Sequence, residues 1–138
     1  MSDIELLGFM TGNRQLFVSW FLVGTLMPIG VIFAAYMFRG FDIQYRGAAM
    51  VSALIGVLML AFFTNQTQTV FFSQLSSLSQ MAAAGSEVAK NAMTLTGLPV
   101  GQTISPPAWL VGLSIVQILI NLVLTVYVFL FAKWTAKS

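Results

Sequence analysis

The chain has 138 residues, of which 58% are hydrophobic and only 7% charged, whereas charged residues make up about a quarter of a soluble domain. Six Lys and Arg against four Asp and Glu leave a net charge of +2, and basic residues so few and scattered exclude the positive stripe that nucleic acid requires. With neither Cys nor His, the chain lacks disulfides, thiolate nucleophiles and the commonest metal ligand and general base. It reads as an integral membrane protein that is not an enzyme and carries no cofactor.

At the N-terminus Asp3 and Glu5 precede any Lys or Arg, unlike the basic start of a secretory signal, so this segment is expected to be retained. Ser2 and Glu5 have the spacing of a capping box. They predict a short interfacial helix ending near Gly12 and Asn13, with a frayed terminus as the alternative.

A hydrocarbon core about 30 Å thick is crossed by roughly 20 apolar residues in a helix. Three uncharged apolar runs meet this length: residues 16–38, 47–64 and 108–132. In the first, Pro28 removes a donor to the carbonyl four residues earlier, which predicts a kink. Gly30 and Ala34 offer small side chains one turn apart. The second run carries a longer ridge of the same kind, Ala48, Ser52 and Gly56, with Ala49 and Ala53 beside it. Helices in lipid associate by close contact, so such ridges mark either packing within the chain or docking to copies and other membrane subunits.

Residues 65–107, rich in Gln, Ser, Thr and Ala, form a long segment between the second and third runs. From Val70 to Met93 there is no Pro and, as the one glycine, Gly85, while Phe71, Leu75, Leu78, Ala82, Ala89 and Ala92 recur near helical spacing, which predicts an amphipathic helix. Either it continues the second span or it folds back on the surface. The Ala-rich stretch 81–92 suits close helix packing. Gly97, Pro99, Gly101, Pro106 and Pro107 end the helix, and the last two introduce the third span.

In that third span Gln117 and Asn121 lie four apart and share a face. An unpartnered amide in lipid costs a few kcal/mol, so both are expected to face another helix; a polar pore lining is the alternative. Ser114 and Thr125 extend the face and can bond their own helix. The spans contain no Asp, Glu, Lys, Arg or His, the groups on which proton relays and ion-coupled transport depend. The methionines are dispersed without the pairing of a copper site, and gap filling explains them.

Basic residues near the span ends set orientation. Arg39, Arg46, Lys133 and Lys137 fall on one side, Arg14 and Lys90 on the other. This favours an outer N-terminus and a cytoplasmic or interior C-terminus. Trp20 and Trp109 then mark the outer interface, and Tyr36, Tyr45 and Trp134 the inner one.

The expected fold is all-α: a single membrane domain over residues 1–138 with three transmembrane helices and an amphipathic helix between the second and third. The expected role is that of a non-catalytic structural or assembly subunit in a multi-subunit membrane complex, such as a secretion or conjugation apparatus, a virion membrane or an energy-transducing complex. Its partners are the lipid bilayer and other membrane subunits or copies of itself. The alternative is a small pore former, because the layout resembles that of phage holins with three spans, in topology only. The long 65–107 segment and the weakly charged tail depart from that pattern.

Overall fold

The computed structural model describes residues 3–134, and 83% of these are helical. Four helices follow in order: α1 (Asp3–Met37), α2 (Ile43–Ala83), α3 (Glu87–Thr96) and α4 (Ala108–Leu130). Among the described residues there is no strand. Three of the helices, α1, α2 and α4, are long and apolar enough to cross a membrane. The Ser2 cap proposed from the sequence and the basic residue Lys137 lie outside the described residues.

Two boundaries correct the sequence reading. The short N-terminal helix is not separate, since α1 runs without interruption from Asp3 to Met37. A glycine inside a helix costs only about 1 kcal/mol. Here Gly12 is offset by its neighbours: Leu6 is buried, Leu7 and Met10 pack beside it, and Asn13 Nδ2 donates to the Thr67 carbonyl at 3.1 Å. The predicted amphipathic helix over 70–93 is divided in two. Its first part prolongs α2, which does not stop near Thr64 because no glycine or proline occurs between Gly56 and Gly85. Its second part is α3.

The break between them is a helix stop followed by a start. Gly85 adopts φ +105°, Gly85 N donates to Ala82 O and Ser86 N to Met81 O, closing the end of α2. Ser86 then caps α3, its hydroxyl accepting the Ala89 N–H at 3.1 Å, with Glu87 in the first turn where a negative charge suits the helix dipole. At the far end Gly97 takes the left-handed conformation, φ +65°, which side chains resist, and Leu98 N reaches back to Met93 O.

The residues group into two compact units, one of 1–19 with 64–110 and the other of 20–63 with 111–138. In the first, Leu6, Leu78, Ala82, Ala89 and Met93 form the core. The alanines allow α2 and α3 to approach closely. The loop after α3 is held by two α2 serines. Ser79 Oγ donates to Pro99 O at 2.9 Å and accepts Gln102 N–H at 3.0 Å, while Ser76 Oγ accepts Ile104 N–H at 2.9 Å.

The core of the second unit consists of Val31, Ala35, Val128 and Phe129, flanked by Met27, Ala34, Ala49, Ala53 and Leu124. Trp20 stacks on Phe63 with ring centroids 5.4 Å apart. Near the turn between α1 and α2, Tyr36 meets Trp134 edge-on and Arg39 lies 3.6 Å above the Tyr36 ring. Arg46 Nη2 donates to the Phe129 carbonyl in the last turn of α4, where a cation complements the helix dipole. The turn after α1 and the end of α4 are thus joined.

Candidate helix-packing site

The polar groups of the second unit converge where α1 lacks a hydrogen bond. Pro28 has no N–H to offer the Gly24 carbonyl, yet α1 continues through it. Asn121 Nδ2 takes the missing place, donating to Gly24 O at 3.4 Å and to Gln117 O of its own helix at 2.9 Å. Beside it Gln117 Nε2 donates to Thr25 Oγ1 at 3.3 Å, and that hydroxyl donates to Phe21 O at 2.9 Å. Thr125 Oγ1 donates to Asn121 O at 2.6 Å.

Glycine at position 24 leaves room for the Gln117 amide, which a larger residue would make shift. A Cβ on Gly24 would lie 2.8 Å from Gln117 Nε2, inside van der Waals contact. The sequence pattern that places a glycine four residues before a proline therefore creates both an unoccupied carbonyl and the room for an amide to reach it. Asn121 is 2% exposed, and its Oδ1 is buried without a hydrogen-bond donor. A groove of about 290 Å³ opens beside these residues, lined among others by Phe21, Gly24, Thr25, Val116, Gln117 and Asn121.

The small-residue ridges are divided between inside and outside. Gly56 is half-buried, with Met27 Cε 3.4 Å from the position its Cβ would take, and Ala34 packs against the unit core. Ala48, Ser52 and Gly30 are exposed, and the Ser52 hydroxyl is turned onto its own helix, 3.1 Å from Ala48 O. The face of α2 that packs within the chain is the neighbouring one, carrying Ala49, Ala53 and the buried Val57.

No protein-family model, curated protein or solved structure matches the chain.

Among the residues that sequence reasoning does not single out, Gly24 matters most, and its signal is the Gly-to-Pro spacing. The charge of Arg46 is visible in the sequence, but nothing local announces its bond to Phe129. Gly8 and Gly12, also four apart, line an open groove of about 780 Å³ with Glu5, Phe9, Val70 and Gln74. The chemistry available around Gln117 and Asn121 is hydrogen bonding between helices. Among the described residues no three of His, Cys, Asp and Glu gather as a metal site.

Proposed function

We propose that the chain is a multi-pass membrane protein acting as a structural, non-catalytic subunit of a larger assembly, through the packing of α1, α2 and α4. One observation carries this reading. In their most apolar 18-residue stretches, only 11%, 6% and 22% of the residues of α1, α2 and α4 are buried inside the chain. Large side chains such as Ile29, Phe33, Ile55, Leu58, Ile120 and Val123 face outward along these stretches. Water around so much apolar surface is unfavourable by roughly 25 cal/mol per Å², so lipid or other helices must cover it.

The orientation follows from charge. Arg39, Arg46 and Lys133 favour the cytoplasmic or interior side for the α1–α2 turn and the end of α4, with residues 65–107 and the N-terminus outside. The exposed Ala48 and Ser52, together with Gly30, supply close-contact faces for other membrane subunits or copies. A head built from 65–107 supplies contacts outside the bilayer.

Photoreactive residues at Ser52 and Leu95 test the assembly reading. Defined protein adducts at either support it, and lipid or solvent adducts alone at both contradict it. Expression of the chain should leave membrane potential intact. An abrupt loss at a defined time would instead favour a pore.

A further inference from the structure

We propose that the charged end of the second unit binds one anionic phospholipid, its phosphate taken by Arg39 and Lys133 and an acyl chain laid along α4. The proposal rests on the membrane reading above and adds the class of lipid. Tyr36, in the last turn of α1, meets Trp134, beyond the end of α4, with ring centroids 5.7 Å apart. The Arg39 guanidinium carbon lies 3.6 Å from the centroid of the same tyrosine ring, and Lys133 is the residue before Trp134. Arg46 reaches the carbonyl of Phe129, four residues before Lys133. Three cations thus gather at the ends of the spans.

The cluster is short of anions. Asp42 is the one acidic residue of this unit, and none of Arg39, Asp42, Arg46 and Lys133 forms an ion pair with a described residue. Arg39 and Lys133 are exposed, and neither side chain makes a hydrogen bond to a described residue. A guanidinium stacked through its face on a ring is held in place while its in-plane N–H donors stay open, and that planar fork fits a phosphate.

Place decides the kind of anion. The cluster falls where the apolar runs of α1 and α4 end, at the level of the headgroups, which tyrosine and tryptophan rings favour. The anions concentrated at that level are lipid phosphates, and basic pockets at span ends take anionic headgroups. A choline headgroup brings its own cation, so three cations against one carboxylate select a lipid without it. An apolar groove of about 420 Å³, lined by Leu122, Val123, Val126, Tyr127 and Phe131, runs along α4 and ends two residues before Lys133. It gives an acyl chain a path away from the headgroup.

The full chain in mild detergent is titrated with phosphatidylglycerol or with phosphatidylcholine of identical acyl chains, and native mass spectrometry counts the lipids that stay bound. The expected result is one phosphatidylglycerol held about tenfold more tightly than phosphatidylcholine. Arg39→Gln and Lys133→Gln should each weaken phosphatidylglycerol by about fivefold and leave phosphatidylcholine unchanged, with helix content intact by circular dichroism, because both side chains are exposed. Arg14→Gln, in the N-terminal half of α1 and also exposed, should change neither. Equal affinity for the two lipids, or an equal loss from Arg14→Gln, overturns the site. Inorganic phosphate should displace no more lipid than chloride of the same ionic strength; specific displacement would reassign the cluster to a soluble anion and overturn the lipid. Alkaline carbonate washing of the chain in phosphatidylcholine vesicles separates the two readings: protein that is retained but shows no preference between lipids loses only the lipid site, whereas protein that washes off loses the membrane reading with it.

Discussion

At the scale of single residues, one substitution in α1 and one in α4 are coupled through a backbone carbonyl. If Asn121 replaces the hydrogen bond that Pro28 removes, Asn121→Leu should loosen the α1–α4 contact by about 1 kcal/mol in the native background. The same change should cost less after Pro28→Ala, because an alanine N–H can serve Gly24 O within the helix. A double-mutant cycle on unfolding in mild detergent reads the coupling, expected at about 0.5 kcal/mol or more; additive effects contradict the link. The two α2 residues Gly56 and Leu58 give a second contrast. Gly56→Leu must displace Met27 and should cost about 1–3 kcal/mol. Leu58→Ala trims a side chain that is 55% exposed and should cost little by the same unfolding measurement. Equal losses would remove the packing role assigned to Gly56.

At the scale of elements, the serines of α2 hold the loop that follows α3. Ser79→Ala deletes one donor and one acceptor, leaving Pro99 O and Gln102 N unsatisfied, which should destabilise this loop by about 1–3 kcal/mol. Hydrogen exchange at the Gln102 amide should accelerate accordingly while the α4 amides keep their protection. Unchanged exchange at Gln102 would show that other contacts fix the loop. Nothing local in the sequence announces these bonds, because they join residues 20 or more positions apart and serine is equally at home on an exposed helix face. The helix boundaries were legible only where breakers cluster. Pro106 and Pro107 mark the start of α4 and Gly97 the end of α3, whereas the predicted helix over 70–93 runs through Gly85, the lone glycine beyond the end of α2. Gly12 misled in the opposite sense, as an expected helix end that is not one, because tertiary packing outweighs one unfavourable glycine.

At the scale of the whole molecule, the three long apolar helices and the pairing of Gln117 and Asn121 with a neighbouring helix follow from hydrophobic run length and from the cost of a bare amide. The choice between the Ala48–Ser52 ridge and its neighbour carrying Ala49 and Ala53 could not be read in advance. Adjacent faces of one helix share the same spacing, and only the partner helix selects between them. The grouping into two compact units depends on long-range contacts as well: at residue 64 its boundary coincides with the end of the apolar run 47–64, but at residue 19 nothing local marks it, since α1 runs through. The functional reading depends most on one claim: α2 passes through a bilayer, with residues 65–107 on one side and the α1–α2 turn on the other. Labelling of single cysteines in intact cells with a membrane-impermeant maleimide tests it directly. Asn91→Cys, at an exposed position of α3, should react from outside, Gly40→Cys only after the membrane is opened, and Ile55→Cys in neither condition; labelling of Asn91→Cys and Gly40→Cys from the same side, or ready labelling of Ile55→Cys, would contradict the account.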